Sequence, residues 1–458
     1  MSAHLPEEFV RRLGGVLGEE LPEFLAALAA RPVHGLRINT RKATRDGLER
    51  ALGLRLEPVS WCPTGFVVPG SLGAHLAHRA GLFYLQEPSA MGPAEALGEQ
   101  PGAVVADLAA APGGKTTRLA ELVGSDGLVA ANDVDGRRLR SLHDNLDRWG
   151  ADNVVTMSLS IDRLAAIAPE AFDAAVLDAP CSGEGLFRRD RDAVREWSPA
   201  AVRGAARRQA RLLADAARLV RPDGLLIYST CTFAVEENEE RVAVFLAEHP
   251  DWEVEDAAAA DPAFARGVDV AGQPTERTAL LWPHRLRGEG HFVARLRRHR
   301  DAPGRRPARR RASDGTRRDP RTRAAWETFR RAHTPGLRVP EDLLVTRDDR
   351  IYLRPAADVP LPSDVLVRPG VSLGRARPGR FEPAQALAGL LAADAVSSVA
   401  TWPDEDPRWA EYLGGAEIPD PGPDAWVLVC AHGWGIGWAR RRGGVLKNFL
   451  PRALRTRA

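Results

Sequence analysis

Two cysteines stand at comparable positions behind two predicted strands, and they suggest thiol chemistry. Cys181 lies in DAPC, directly after an apolar strand over 173–177, and Cys231 lies in STC, after a strand over 224–229. Because neighbouring parallel strands of a doubly wound sheet end at one edge, we expect both thiols over the same crevice. A thiolate can form covalent intermediates with a substrate. The pattern therefore predicts nucleophilic catalysis, with the carboxylate of Asp178 close by.

A glycine-containing turn earlier in the chain predicts a pocket for a small ligand. The run VVADLAAAPGGKTT at 104–117 joins an apolar strand, a turn of small residues and the start of an amphipathic helix. Free N–H groups at that helix start can meet a polar ligand. The next strand ends at Asp133, an acid about twenty residues on that suits both hydroxyls of a ribose. The glycine turn and Asp133 together indicate an adenosine cofactor, either NAD or S-adenosylmethionine. The absence of a GxGxxG motif disfavours NAD.

Methylation of cytosine at carbon 5 would use all of these groups. Carbon 5 is a poor nucleophile, but a thiolate that adds to carbon 6 turns the ring into an enamine. A cation such as Lys115 favours the thiolate, and a carboxyl near ring N3 stabilises the adduct. A second cysteine could assist release, and the base must first leave its stack. The ordinary alternative is that buried cysteines act as small hydrophobic residues, which explains one cysteine better than two at one edge.

The motifs themselves resemble the Nop/Sun (RsmB/NOP) family of RNA cytosine-5 methyltransferases. The matching runs are DLAAAPGGKTT at 107–117, ANDVD at 131–135, DAPCSGEG at 178–185 and STCTF at 229–233. The resemblance implies Cys231 as nucleophile, Cys181 as helper in product release, Asp178 as the acid that contacts the base, and Lys115 as a site lysine. It also implies an S-adenosylmethionine pocket made of Ala109, Ala110, Ala111, Pro112, Gly113, Gly114, Lys115, Asp133 and Asp178, with Asp162 at the adenine side. The family often has cysteine at the position of Ala109, a change expected to alter only packing.

Strands and helices alternate from 102 to about 298, which predicts the fold that must position these residues. The predicted strands are 103–107, 127–131, 153–157, 173–177, 224–229, 278–282 and 291–296, and the predicted helices are 115–123, 136–149, 162–168, 193–220 and 235–248. Strands separated by helices indicate an α/β fold with a doubly wound, mostly parallel sheet. The last two strands lack a full helix between them and predict an antiparallel hairpin edge. That ending is typical of the Rossmann-like class I methyltransferase sheet.

The chain divides into four predicted parts. Residues 1–95 form an α/β extension that binds RNA, 96–298 the methyltransferase domain, 299–324 an arginine-rich linker, and 325–458 a β-rich PUA-like module. The stretch 297–323 contains twelve arginines and only three aspartates. It is either a solvated tether or, as we favour, an electrostatic arm that binds a phosphate backbone. In the extension, Arg37, Asn39 and Gln86 would be surface residues if the segment is only a packing appendage.

The later motifs narrow the resemblance to a bacterial branch of the family, the RsmF type. They are LWPHRLRGEGHF at 281–292, RPG at 368–370, FEP at 381–383, and GW at 437–438 with KN at 447–448. In that branch the last module is a PUA-like RNA-binding fold and the substrate is 16S ribosomal RNA, so we expect that RNA, or the small ribosomal subunit, as partner. The alternatives are a tRNA enzyme of the same family, an amino-directed N-methyltransferase misread from DAPC, and a ribosome-assembly protein without catalysis.

The amino-acid composition limits the classes of protein to which the chain can belong. The 458 residues are 44% hydrophobic and 27% charged, as in soluble multidomain proteins, and only three of 63 basic residues are lysine. The first residues contain no apolar signal region, and no long apolar run follows, so we expect a cytoplasmic protein without a membrane span. The four cysteines form no CxxC pair, which argues against a zinc site and against a disulfide framework. We expect no metal and a monomer.

Overall fold

The amino-terminal part forms helices and a four-stranded antiparallel sheet in this computed structural model, which describes residues 5–301 and 319–456. Its elements are α1 (Glu7–Leu17), α2 (Leu21–Ala29), β1 (His34–Ile38), α3 (Arg45–Leu52), β2 (Glu57–Val59), β3 (Cys62–Val68), α4 (Leu76–Arg79) and β4 (Phe83–Leu85). The strand order is β2-β3-β1-β4. Helices α1 and α2 pack elsewhere, because Phe9 contacts Phe187 at 4.9 Å between ring centroids and Phe24 contacts Phe233 at 5.2 Å. Both partner rings follow closely after the two cysteines, so these helices brace the predicted site.

The middle of the chain supplies nine strands of a ten-stranded sheet, and the carboxyl-terminal part supplies the tenth. Its elements are α5 (Gly92–Glu95), β5 (Val104–Asp107), α6 (Gly114–Val123), β6 (Leu128–Asn132), α7 (Leu139–Trp149), β7 (Val154–Met157), α8 (Ile161–Ile167), β8 (Phe172–Asp178), α9 (Arg191–Glu196), α10 (Pro199–Ala217), β9 (Val220–Thr230), α11 (Glu239–Glu248), β10 (Trp252–Glu255), β11 (Ala265–Arg266), β12 (Ala279–Leu281) and β13 (His291–Arg298). The order β7-β6-β5-β8-β9 is parallel, and β13 and then β12 continue it antiparallel. The predicted Rossmann-like sheet with an antiparallel end is confirmed.

One predicted helix, 193–220, is divided into α9 and α10. The break lies at Ser198 and Pro199: the Ser198 hydroxyl accepts a hydrogen bond from the Ala201 amide, and Pro199 occupies the first turn of α10. Serine caps a helix start and proline suits the first turn but not the interior, so a new helix begins here. Within the described ranges no helix is long and apolar enough to cross a membrane.

The carboxyl-terminal part contains a four-stranded and a five-stranded sheet. Its elements are α12 (Pro320–His333), β14 (Leu344–Arg347), β15 (Arg350–Leu353), β16 (Leu366–Arg368), β17 (Val371–Arg377), β18 (Arg380–Pro383), α13 (Gln385–Leu390), β19 (Val399–Ala400), α14 (Arg408–Gly414), β20 (Ile418–Pro419), β21 (Ala425–Ala431), β22 (Trp434–Arg442) and β23 (Val445–Asn448). Helix α12 begins inside the segment 299–324, which was predicted as linker, because Asp319 caps it and Pro320 occupies its first turn. The arginine-rich residues 302–318 lie outside the described residues.

Two contacts join the carboxyl-terminal part to the rest of the chain. Strand β16 pairs antiparallel with β7 and so extends the central sheet. The five-stranded sheet packs against the amino-terminal sheet in one hydrophobic core, which contains Leu36 and Phe66 together with Tyr412 and Val427. The first and last parts of the chain therefore share buried surface, and both border the central sheet.

Candidate active site

The two predicted thiols lie side by side. Strands β8 and β9 are parallel neighbours with Asp178 opposite Ser229, so the loops that follow them leave the sheet together. The Sγ atoms of Cys181 and Cys231 are 3.3 Å apart, and both residues are half-buried and unoxidised. The hydrogen bond to Cys231 and then burial raise the pKa of Cys181 well above its usual range. Cys181 therefore keeps its proton, and the two sulfur atoms lie within hydrogen-bond distance of each other.

Hydrogen bonds between the two loops fix this arrangement. The hydroxyls of Ser182 and Thr232 are 2.8 Å apart, and the Gly185 amide donates to the Cys231 carbonyl oxygen at 2.8 Å. A Cβ atom on Gly185 would lie 2.8 Å from the oxygen of Gly290 and 2.9 Å from that of Cys231. These distances are too short for any side chain. Glycine at this position lets the two cysteine loops approach each other.

Lys115 and Asp178 form an ion pair beside the thiols. Lys115 Nζ donates to Asp178 Oδ2 at 2.6 Å, and Ser229 Oγ donates to Asp178 Oδ1 at 2.8 Å. Burial raises the pKa of Asp178, but the charges of Lys115 and His291 and the hydrogen bonds from Lys115 and Ser229 together outweigh it, and the net pKa is lowered. Burial lowers the pKa of Lys115, but the attraction of Asp178 outweighs it and the net pKa is raised. Both groups are thus charged, and the carboxylate is held in one orientation.

His291 completes this cluster, although it was not among the predicted site residues. Its Nε2 lies 4.0 Å from Asp178 Oδ1 and is buried without a hydrogen-bond partner in the described structure. Its Nδ1 lies 3.3 Å from Ser89 Oγ, which donates to Glu87. Burial and then the charge of Lys115 lower the pKa of His291 to about 4, so the ring is neutral at physiological pH. The only signal in the sequence was its place in the 281–292 motif.

The glycine turn and Asp133 form one side of the crevice. The Ala111 amide donates to Asp133 Oδ2 at 3.2 Å, and the Asp135 amide donates to Asp133 Oδ1 at 3.0 Å. Gly113 has a φ of +111°, and a Cβ there would lie 3.1 Å from a methyl group of Leu142. The backbone of the turn therefore requires glycine and stays open to a ligand. Of the other predicted pocket residues, Ala110 is buried, Ala109, Gly114 and Lys115 are half-buried, and Pro112 is exposed.

A buried carboxylate under this turn tests whether the predicted cofactor fits. Asp107, at the end of β5, accepts a hydrogen bond from Thr116 Oγ1 at 2.6 Å with one oxygen, while the other oxygen is buried with no partner in the described structure. Burial raises the pKa of Asp107 to about 6. An unpaired buried carboxylate favours a cationic ligand. S-adenosylmethionine carries a sulfonium and an ammonium group, so the residues fit it.

Asp162 is the predicted pocket residue that the described contacts do not join to the others. It lies exposed in the first turn of α8. A hydrogen bond from the Ser160 side chain lowers the pKa of its carboxyl. Its hydrogen bonds are all local, so the contact with the adenine side stays a prediction.

Arg37 supports the glycine turn from the amino-terminal sheet. Its Nη2 donates to the Gly114 carbonyl oxygen and to Thr117 Oγ1, both at 2.6 Å, and its Nε donates to Gln86 Oε1 at 2.7 Å. Arg37 and Asn39 are both fully buried, so the alternative that they are surface residues is wrong. Polar side chains within an otherwise apolar strand were the signal for this contact.

Four family models match successive parts of the chain. The model described as 16S rRNA methyltransferase RsmB/F matches residues 94–297. The N-terminal domain of 16S rRNA methyltransferase RsmF matches 5–88, the RsmF rRNA methyltransferase first C-terminal domain matches 328–391, and the methyltransferase RsmF PUA domain matches 401–456. The four models together match most of the described chain, and the one over 328–391 includes β16, the strand that joins the central sheet.

Full-length relatives and solved structures agree with these models. Ribosomal RNA small subunit methyltransferase F of Cronobacter sakazakii is 35% identical over 99% of this chain and 97% of its own length. The protein of that name from Escherichia coli O81 is 34% identical over 99% and 97%. A methyltransferase homolog protein from Pyrococcus horikoshii is 31% identical, with a TM-score of 0.55 over 64% of this chain and 96% of that chain. NSun6 from P. horikoshii with SFG, at 23% identity and a TM-score of 0.56 over 64% and 98%, shares the fold.

Identity at this level along nearly the whole chain confirms the resemblance that the motifs indicated. The predicted fold class is confirmed with it, as a Rossmann-like methyltransferase sheet between an amino-terminal domain and a carboxyl-terminal PUA domain. The chain belongs to the RsmB/F family of S-adenosylmethionine-dependent 16S rRNA methyltransferases.

Proposed function

We propose that this protein transfers a methyl group from S-adenosylmethionine to carbon 5 of a cytidine in 16S ribosomal RNA. The observation that carries the proposal is the pair of thiols, 3.3 Å apart, beside the charged pair of Lys115 and Asp178. The similarity to ribosomal RNA small subunit methyltransferase F along the whole chain supports ribosomal RNA as substrate. Because ribosomes are the destination of that RNA, we place the protein in the cytoplasm.

Cys231 is the proposed nucleophile because the pKa of its neighbour Cys181 is the raised one and because Cys231 interacts with the charge of Lys115. Its thiolate adds to carbon 6 of the flipped base, a sulfur–carbon bond forms, and the electron pair of the ring double bond becomes available at carbon 5. Addition at carbon 6 increases the negative charge on ring N3, which then takes up a proton from water. Asp178, held by Lys115 and Ser229, accepts hydrogen bonds from this N3–H group and from the exocyclic amine. This contact stabilises the adduct more than the flat base.

The turn at 109–115 with Asp107 and Asp133 holds the proposed methyl donor. S-adenosylmethionine, when bound, supplies the electrophilic methyl group that carbon 5 accepts. The unpaired oxygen of Asp107 would face its positive charge, and Asp133 the ribose hydroxyls. Lys115, at the start of α6, belongs to both halves of the site because it follows the turn and contacts Asp178.

Cys181 acts in the release step. After methyl transfer, the hydrogen of carbon 5 leaves as a proton to a base, the sulfur–carbon bond breaks, and its electron pair returns to Cys231. The raised pKa of Cys181 keeps a proton on that thiol, which can then donate a hydrogen bond to the departing thiolate. Without this donor the thiolate would be a poorer leaving group, so the adduct would persist.

The remaining parts of the chain are proposed to hold RNA. We assign residues 1–95 and 325–458 to RNA binding on either side of the catalytic part, 96–298. The segment 299–324 joins them. We further propose a monomer, because the amino-terminal sheet finds its packing partner within the same chain.

Bisulfite sequencing tests reaction and substrate together. Total RNA from a strain that lacks this gene is compared with RNA from the parent and from the deletion strain complemented with wild-type or Cys231→Ala protein. We expect loss of 5-methylcytidine at defined 16S positions, restored by the wild type and not by the variant. Loss confined to tRNA would keep the chemistry and overturn the substrate. No loss anywhere would favour an assembly protein without catalysis.

A further inference from the structure

A pocket of about 300 Å³ opens where the three parts of the chain meet. His78 and Arg79 of α4 line it from the amino-terminal part, and Asp144 and Arg148 of α7 line it from the central part. Gln385, Ile436, Leu450 and Arg455 line it from the carboxyl-terminal part. The pocket is distinct from the crevice that contains the thiols. Its place at the junction means that a ligand there would contact all three parts at once.

The pocket contains more positive than negative charge. Three arginines line it against one carboxylate, that of Asp144. In the described structure their hydrogen bonds go only to neutral oxygens: Arg79 Nη1 to Leu454 O at 3.1 Å, Arg148 Nη2 to Asn145 Oδ1 at 2.7 Å, and Arg455 Nε to Leu450 O at 3.0 Å. The Nε of Arg79 is buried and has no hydrogen-bond partner in the described structure. The guanidinium groups therefore retain unused donors, and a single lining carboxylate, that of Asp144, offsets three positive charges.

Several other half-buried arginines of the described chain form an ion pair with a carboxylate, which the three pocket arginines do not. Arg118 pairs with Glu95 at 2.6 Å, and Arg298 pairs with Glu170 at 2.9 Å. By contrast, burial lowers the pKa of Arg79 and of Arg148. Tyr84 and Asp144 raise the pKa of Arg148 in part, and the charge of Arg79 lowers it. Like charges that are partly removed from water destabilise the protein unless an anion joins them.

The pocket is also connected to the glycine turn. Arg148 donates to Oδ1 of Asn145, and Nδ2 of Asn145 donates to the Pro112 carbonyl oxygen at 2.7 Å. Arg148 and Asn145 lie one helical turn apart on α7. An anion bound by Arg148 would therefore be connected, through α7, to the glycine turn that Asn145 contacts. The fork of a guanidinium group matches the oxygens of a phosphate.

We propose that this pocket binds a backbone phosphate group of the substrate RNA. The proposal rests on the proposed function, because it takes RNA as the source of the phosphate. It assigns part of RNA recognition to the junction of the three parts, with Arg79, Arg148 and Arg455 as the ligands. An RNA phosphate seated there would hold the three parts in one arrangement around the bound strand.

The salt dependence of RNA binding tests the proposal. The full-length protein is titrated against fluorescently labelled 16S rRNA transcript at several salt concentrations, and the slope of log K against log salt is measured. Each phosphate contact contributes about 0.7 to 0.9 to this slope. We expect Arg79→Gln and Arg148→Gln to lower the slope by about that amount each, and Arg79→Lys, which keeps the charge, to retain it.

Arg266→Gln is the matched control. Arg266 lies in β11, at the opposite edge of the central sheet from β7, and pairs with Asp256 at 2.9 Å. We expect its slope to equal that of the wild type. Circular dichroism verifies that each variant is folded, and Arg148→Gln serves if Arg79→Gln fails to fold. An unchanged slope in folded pocket variants, or an equal drop in the control, would overturn the proposal.

Inorganic phosphate separates the two sources of the anion. If millimolar phosphate raised the melting temperature of the wild type but not of Arg79→Gln, while the RNA slope stayed unchanged, the pocket would be a site for free phosphate and the proposal would be wrong. Methyl transfer is assayed in parallel on the wild type. Lost transfer with an intact difference in slope would refute the proposed function and leave RNA binding at the pocket supported.

Discussion

The thiol of Cys181 lies beside that of Cys231, which follows the neighbouring strand. Cys181 has a raised pKa because it is hydrogen-bonded to Cys231 and buried. The two sulfur atoms are 3.3 Å apart. A thiol that keeps its proton is a poor nucleophile but a good hydrogen-bond donor. The structure thus supports the assignment of attack to Cys231 and of assistance in release to Cys181.

Replacement of Cys181 by alanine should trap the covalent intermediate. Attack by Cys231 does not need the Cys181 side chain, whereas expulsion of Cys231 loses its hydrogen-bond donor. We expect a protein–RNA adduct that survives denaturing electrophoresis when Cys181→Ala is incubated with S-adenosylmethionine and labelled RNA. Cys231→Ala and the double variant are the controls and should form none. An adduct with neither single variant, or with Cys231→Ala alone, would reverse or refute the assignment.

Asp107 should make cofactor affinity depend on pH. Burial raises its pKa to about 6, above the value of 3.8 for an unperturbed aspartate. The cationic cofactor requires the ionised form, so below about pH 6 binding must first remove a proton. We expect the affinity for S-adenosylmethionine, measured by calorimetry, to be constant above about pH 7 and to fall by up to tenfold per unit below pH 6.

Asp107→Asn is the control for this dependence. Its amide is nearly isosteric and cannot ionise, so we expect weaker affinity that does not change between pH 5 and 8. A flat profile for the wild type would show that the carboxylate does not meet the positive charge of the cofactor. An equally steep profile for the variant would assign the titration to another group.

At this scale, sequence reasoning found the residues that lie at strand ends. Lys115, Asp178, Cys181 and Cys231 meet because parallel strands deliver their ends to one edge, and this rule needs no detail of packing. His291 could not be found in the same way. His291 is the first residue of the antiparallel strand β13, and the register of β13 against β9 places this side chain near Asp178. The register between two strands cannot be read from the sequence of one strand. The orphan oxygen of Asp107 likewise depends on which donors the fold supplies.

Contacts between elements explain how the glycine turn keeps its shape. Strand β1 belongs to the amino-terminal sheet, yet its Arg37 reaches the first turn of α6 and donates to Gly114 and Thr117. The guanidinium group is fully buried, and Glu121 lies 3.6 Å away. Removal of one partner from a buried charged network leaves the others without compensation. The arginine is therefore a positioning residue for the cofactor turn.

Replacement of Arg37 by alanine should destabilise the protein and weaken cofactor binding together. We expect a loss of about 3 kcal/mol in the free energy of unfolding, since a buried charge partner is removed. The dissociation constant for S-adenosylmethionine should rise because the first turn of α6 is no longer held. Denaturant unfolding and calorimetry measure the two effects.

Arg41→Ala is the matched control, four residues further along the chain. Arg41 pairs with Asp152 at 2.6 Å, but its side chain is 51% exposed. Exposed pairs contribute about 0 to 1 kcal/mol, so this variant should be nearly as stable as the wild type and bind the cofactor normally. Equal losses in the two variants would contradict a specific role for Arg37.

Local signals predicted most elements and missed those that depend on distant partners. The central strands agree with their predicted ranges within a few residues, because apolar runs between helical segments can be recognised from the sequence alone. The predicted helix 193–220 breaks at Pro199, a signal present in the sequence. The pairing of strand β16 with β7 was not predicted, because a three-residue strand carries no information about which edge it joins.

The whole molecule is held together by contacts between parts that are far apart in sequence. The carboxyl-terminal part contributes β16 to the central sheet and shares a core with the amino-terminal sheet. Arg368 of β16 pairs with Asp147 of α7 at 2.5 Å, and their side chains are 13% and 17% exposed. Together these contacts predict that the three parts unfold as one cooperative unit.

The ion pair between Arg368 and Asp147 offers a direct test of that cooperativity. If the parts unfold together, Arg368→Ala should lower the free energy of unfolding of the whole chain by about 3 kcal/mol, because Asp147 is left buried and unpaired. The variant with both residues replaced by alanine should lose less than the sum of the single variants, with a coupling of about 1 to 3 kcal/mol. The exposed pair of Arg195 and Asp192, with side chains 75% and 74% exposed, is the control, and its coupling should stay below about 1 kcal/mol.

Melting curves followed separately by tryptophan fluorescence and by circular dichroism should coincide in the wild type. Two separated transitions, of which Arg368→Ala shifts only one, would mean that the carboxyl-terminal part unfolds independently, and β16 would then be a docking strand instead of a structural part of the catalytic sheet.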